Sequence, residues 1–144
     1  MKFACLVYHE QEDAIQEDAI SEAELAAIVE ECQGAAAWNE AIGKGGHHVF
    51  TAGLQYVRTA KTIRNRNGRL DITDGPFAET RECLGGVTII EARDLNEALE
   101  LVSKFPARLT SVEVRPIMEP GAELTDPADR MVVAAVQRAT QPRT

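Results

Sequence analysis

Residues 86–105 read GVTIIEARDLNEALELVSKF, and the way this stretch divides decides the fold class. Its first six residues are a short apolar run with the β-branched composition of a strand. Asp94 and Glu97 then stand three apart, the spacing at which two side chains satisfy the free backbone N–H groups of a helix start. Leu95, Ala98, Leu99, Val102 and Phe105 recur at helical spacing and line one face, and Pro106 marks the exit. A strand therefore runs directly into an amphipathic helix.

The same unit stands at the start of the chain. KFACLVY, residues 2–8, reads as a strand buried on both faces. Ser21 and Glu24 form a second capping box. Leu25, Ile28, Val29, Cys32, Ala35 and Ala36 then define the expected inward face, which Trp38 and Ile42 extend. The helix should close in Gly43-Lys44-Gly45-Gly46, where glycine can turn left-handed. EDAI occurs twice between these elements, at 12–15 and 17–20, too briefly for a repeat architecture, and reads as a loop or irregular lead-in.

His47–Leu54 follows as a strand. Lys61–Arg66 and Arg69–Thr73 then flank Asn67-Gly68, the preferred pair for a type I′ hairpin. SVEVRPI, residues 111–117, supplies a last strand ending near Pro116, since proline cannot donate to a ladder. The order β-α-β, hairpin, β-α-β predicts an α+β fold: a ferredoxin-like split βαβ with an inserted β-hairpin. One such domain fills residues 1–119. Residues 120–144 read as a C-terminal extension whose short helix starts at Asp126 and Pro127. Because the strands are apolar at both parities, the sheet face away from the helices needs a cover, and a homodimer with the two sheets face to face is expected.

Composition narrows the function classes. The 144 residues suit one domain, and no apolar run nears the roughly 18 residues of a membrane span. Only Phe3–His9 is uncharged before the chain turns acidic, which is unlike a signal peptide and predicts a cytoplasmic protein. Cys5, Cys32 and Cys83 show no metal or disulfide spacing. A formal charge of −8 argues against direct nucleic-acid or membrane binding. The charge is uneven: residues 10–31 hold nine acids and no base, and residues 56–69 hold five bases and no acid. That basic stretch reads as a solvated hairpin, or as a patch for an anionic ligand or the acidic first helix of a neighbouring subunit.

Chemistry, if present, should lie in LDITDGPFAETRECLGG, residues 70–86. Asp74-Gly75-Pro76 makes a rigid corner, and Phe77 would most simply plug the core. Gly85-Gly86 lets a bulky group approach the backbone. Two carboxylates in one pocket can divide acid and base roles, which nominates Asp74 and Glu79, with His48 as a candidate proton-transfer group. Phe77, Arg81, Gly85 and His47 are the candidate ligand-binding residues. His47 and His48 point to opposite faces of a strand, so the pair cannot form a metal site alone, and His9 ends the first strand at a sheet edge. No nucleotide-binding or standard hydrolase motif occurs, and no metal or organic cofactor is expected.

TDGPFAETRECLGGVTIIEARDLNEALELV followed by SVEVRPIME, with KFACLVY and the lead-in NGRLDITDGPF, resembles the DGPF-domain proteins of the YCII-related family. The similarity covers most of residues 1–119. It implies a ferredoxin-like fold that dimerises through its sheets, in the dimeric α+β barrel group. It also implies association with extracytoplasmic-function sigma factors for many members, and small-molecule chemistry on a His–Asp pair for some distant ones. Those enzymes carry the histidine on the first helix, whereas residues 21–42 contain none. Two functions follow as expectations: a small-molecule cleft near the DGPF loop with lyase- or hydrolase-type acid–base chemistry, or a non-enzymatic regulatory protein that works with a sigma factor. The sequence leaves open which, and names no substrate.

Overall fold

The computed structural model describes residues 1–10, 20–106, 110–119 and 124–140. Among these residues six strands and three α-helices follow the chain: β1 Lys2–Glu10, α1 Glu22–Lys44, β2 His48–Gly53, β3 Lys61–Arg66, β4 Arg69–Asp74, β5 Glu82–Glu91, α2 Leu95–Val102, β6 Thr110–Pro116 and α3 Pro127–Thr140. Apart from Ile20, the two EDAI copies lie outside the described residues.

β1, β2, β5 and β6 form one sheet in the order β2-β5-β1-β6, with every neighbouring pair antiparallel. β1 and β2 are joined through α1 yet separated by β5, and β5 and β6 are joined through α2 yet separated by β1. That is the split βαβ arrangement, and the chain has the expected α+β, ferredoxin-like fold. β3 and β4 pair as a separate hairpin. Asn67 (φ 53°) and Gly68 (φ 81°) are both left-handed, as the type I′ turn requires.

Local signals work as the physics of helix ends predicts. The Ser21 hydroxyl accepts from the Glu24 N–H at 3.2 Å while the Ser21 N–H donates to the Glu24 carboxylate at 2.8 Å. At the other end of α1, His47 N–H reaches the Ile42 carbonyl (2.9 Å) and Gly46 N–H the Gly43 carbonyl (3.0 Å) around a left-handed Gly46. This is a Schellman closure, one residue or more beyond the first glycine of the run. Asp94 caps α2 by accepting from the Glu97 N–H at 2.9 Å, and Asp126 accepts from the Ala128 N–H at 2.7 Å to start α3.

The core lies between the sheet and α1 and α2: Phe3, Cys5 and Ile90 from the sheet, Trp38 and Ile42 from α1, Ala98 and Val102 from α2. Trp38 meets Phe105 edge to face at 5.1 Å and donates its indole N–H to the Leu101 carbonyl at 2.9 Å. Ala4, Leu6 and Tyr8 of β1, and Val87 and Ile89 of β5, alternate with the core residues and face away from the helices.

Two sequence expectations are corrected here. The inward face of α1 is Ile28, Glu31, Ala35, Trp38 and Ile42, each buried or half-buried, whereas Leu25, Val29, Cys32 and Ala36 are exposed. The large Trp38 and Ile42 side chains next to the sheet set the rotation of the helix. Phe77 does not plug the core: it is 77% exposed. The corner it leaves from is tied to the hairpin rather than to the sheet.

Candidate functional site

The DGPF corner folds back along one face of the β3–β4 hairpin. The Gly75 N–H donates to the Ala60 carbonyl at 2.8 Å, and the Thr62 hydroxyl donates to the Gly75 carbonyl at 2.7 Å. Gly75 takes φ 91°, a left-handed conformation in which a side chain would be strained. Arg64 donates to the Phe77 carbonyl, and Asp74 pairs with Lys61 at the base of the hairpin. Asp74, Phe77, Glu79 and Arg81 are all exposed. The corner's backbone polar groups serve the hairpin.

His47 and His48 are engaged elsewhere. The His47 Nδ1–H donates to the Glu91 carbonyl at 2.9 Å, which fixes its tautomer. His48 Nε2 lies 2.8 Å from the Thr51 hydroxyl, which is also bonded to Asn39 Oδ1 and the buried Thr88. An open groove of about 500 Å³ between α1 and α2 is lined by Trp38, Ile42, His47, Leu101, Lys104 and Pro106, among others. Among the described residues its indole N–H and imidazole Nδ1–H are already spent on carbonyls and its Lys104 is paired with Glu100, so few free polar groups converge there as a ligand site requires.

Such groups converge instead at the far end of the sheet, where β1 and β5 pass under the first half of α1. β1 buries Phe3, Cys5 and Val7 on the helix side, and by the same alternation His9 presents its ring there. The register of β5 slips opposite Val7 and Tyr8: Gly86 pairs with Val7, Leu84 with Tyr8, and Gly85 is the extra residue of a bulge. The imidazole lies against that bulge. A Cβ on Gly85 would stand 2.1 Å from His9 Cδ2 and 2.6 Å from Nε2. Gly85 therefore admits a bulky ring, as its sequence suggested, but the ring is that of His9.

Glu31 completes the group from above. His9 Nδ1 is 3.9 Å from Glu31 Oε1, with the side chains 47% and 31% exposed. Glu31 Oε1 itself has no contact with solvent and no hydrogen-bond partner among the described residues. A carboxylate oxygen shut from water and lacking a donor is an uncommon and costly arrangement. Cys83 pairs with His9 across the strands, so its free thiol stands on the same face. A base with one ring nitrogen toward a carboxylate and the other against the Gly85 bulge has the chemistry to move a proton.

Sequence reasoning named His9 as a sheet-edge histidine and Gly85 as a close-approach position, but it missed Glu31. The signal was there: Glu31 lies three residues after Ile28, four before Ala35 and seven before Trp38, an acid inside the apolar stripe that faces the sheet.

Comparison with known proteins agrees with the fold. The family model of the YCII-related domain matches residues 1–120. An uncharacterised protein of Rhizobium meliloti (strain 1021) is 39% identical over 69 residues, covering 46% of this chain and 56% of that protein. The match thus spans little more than half the length of the curated relative.

Proposed function

The chain belongs to the YCII-related domain family, and on that premise we propose that it binds a small molecule at the end of the sheet where His9, Glu31 and Gly85 meet. His9 exchanges a proton with the bound molecule, and Glu31 holds the imidazole in place and compensates its charge when protonated. The glycine bulge keeps the ring seated at the sheet surface. The observation that carries this reading is the shielded Glu31 Oε1, without a hydrogen-bond donor among the described residues, beside a histidine whose second nitrogen lies against the Gly85 bulge. The chemistry fits a lyase- or hydrolase-type proton transfer, performed without the exposed carboxylates of the DGPF corner.

The same reading takes the protein as a homodimer. The outward face of the sheet carries Leu6, Val87 and Ile89 beside Phe50, which is 52% exposed, and a second copy is the simplest cover for an apolar face. A monomeric mass at micromolar concentration would overturn that part. Among the described residues no helix is long and apolar enough to cross a membrane.

The test is a thermal-shift screen of small organic acids, esters and lactones, with each hit repeated on His9→Gln, Glu31→Gln and Asp74→Ala. Binding should fall at least about tenfold in the first two and persist in the third. Hits that survive in His9→Gln and vanish in Asp74→Ala would return the site to the DGPF corner. The exposure of Phe77 and its neighbours favours a second reading, docking of this corner on a partner protein. Failure to co-elute with any purified extracytoplasmic-function sigma factor from the same genome would count against it.

A further inference from the structure

The β3–β4 hairpin has two unlike faces. Thr62, Arg64 and Thr73 are half-buried under the DGPF corner. The opposite face carries Ile63, Leu70 and Ile72, and these aliphatic side chains are 65%, 66% and 66% exposed. Ile63 and Ile72 are direct cross-strand partners. A two-stranded hairpin is marginal in water by itself. One that presents three neighbouring branched side chains to solvent has an apolar face built for a partner.

Charge indicates which partner. At the hairpin tip Arg66 stands directly opposite Arg69, a like-charge pairing that destabilises unless an anion comes between. Neither arginine has an ion-pair partner among the described residues. The first half of α1 offers the complement. It carries Glu22, Glu24 and Glu30 in exposed positions, with no base. It also presents an outward stripe of Leu25 and Val29, 52% and 46% exposed, that continues into the exposed Cys32. An aliphatic strand face with an arginine pair thus matches an aliphatic helix stripe among acids.

We propose that the β3–β4 hairpin is an arm that docks on the outward stripe of α1 in a second copy of this chain, with Ile63, Leu70 and Ile72 against Leu25 and Val29. Arg66 and Arg69, long enough to reach round the edge of the arm, meet the acids of that helix. The contact is distinct from the sheet-to-sheet face and does not depend on the small-molecule site. In a two-fold dimer it forms twice, each copy giving an arm and receiving one.

Cys32, already in the stripe, makes the proposal testable. Single variants Ile63→Cys, Leu70→Cys and Ile72→Cys of the full chain are oxidised with copper–phenanthroline. A disulfide requires Cα atoms within about 4.4–6.8 Å, so it reports direct contact. At least one variant should yield a covalent dimer that disappears when Cys32→Ser is added. No cross-linked dimer, a disulfide within one chain, or a dimer that persists with Cys32→Ser would each overturn the docking. In parallel, Ile63→Asp with Ile72→Asp should raise the dimer dissociation constant about a hundredfold or more, at roughly tenfold or more per aliphatic side chain withdrawn. An unchanged dissociation constant would overturn the proposal equally. A dimeric solution mass is expected of either contact, and Val87→Asp on the outward sheet face tests the sheet-to-sheet one separately.

Discussion

Replacing Gly85 with alanine separates the seating of His9 from the stability of the fold. The added Cβ would lie 2.1 Å from His9 Cδ2, against an ordinary contact of at least 3.4 Å. The ring must therefore retreat by 3.4 − 2.1 = 1.3 Å or rotate away. His9 is a half-exposed side chain at a strand end, so it can move without disturbing the core. Overpacking costs about 1–3 kcal/mol where neighbours cannot yield, and here the low end applies. Alanine also restricts the unfolded chain, which returns about 0.4–1 kcal/mol. The net change should stay within about 1 kcal/mol, or a few degrees in Tm. A displacement of about 1 Å at a reacting group is nonetheless enough for about a hundredfold loss of rate or binding. Gly85→Ala should thus melt close to the wild type while losing the His9-dependent binding, and its His9 imidazole resonances should shift. Gly86→Ala is the control. Its Cβ would meet the Ala52 carbonyl oxygen at 3.2 Å, and that backbone atom belongs to the β2–β5 pairing and cannot rotate aside. This variant should lose about 1 kcal/mol and keep the His9 spectrum. If Gly85→Ala leaves the imidazole resonances of His9 unmoved, the ring is not seated on the bulge and the proposed site fails.

Other outcomes follow from the same structure. Trp38→Phe removes the indole N–H from the Leu101 carbonyl, which keeps the Lys104 N–H as a donor, and should cost about 0.5–1.5 kcal/mol in chemical denaturation; a loss near zero would show that the indole bond contributes nothing to stability. Burial pushes the Cys5 thiol up to about 11, so iodoacetamide at pH 8 followed by peptide mass analysis should label Cys32 first, Cys83 more slowly and Cys5 only on unfolding. The Asp94 carboxyl is held below its ordinary value by the Glu97 N–H and then by Arg93. A depressed folded value means that its contribution is complete above the unfolded value near pH 4 and fades as pH falls through the lower folded one. Asp94→Asn should keep the cap but flatten the acid limb of a Tm–pH curve; an identical curve would deny Asp94 that role.

The legible parts of the fold are those decided within a few residues. Ser21 with Glu24, Asp94, Asp126 with Pro127, and Asn67-Gly68 each act through contacts of about three positions, so their chemistry is written in local order and the elements begin and turn where that chemistry requires. The α+β order followed from these elements. The rotation of α1 did not. Leu25-Val29-Cys32-Ala36 and Ile28-Glu31-Ala35 both recur at helical spacing, and propensity alone favours the more apolar stripe. Trp38 and Ile42, packed against β5 and α2, turned the less apolar stripe inward and carried Glu31 with it.

Sequence by itself determined where helices and turns begin, the split βαβ order, and the family signature of the DGPF corner, because each rests on neighbours along the chain. Only tertiary structure decided that this corner serves the hairpin, that Phe77 stays in solvent, and that His9, Glu31 and Gly85 meet. Those three residues sit on three elements, and their meeting depends on a one-residue slip between β1 and β5 and on the rotation of a helix. Both are set by how large side chains fill a shared core, a balance that no local stretch of sequence contains.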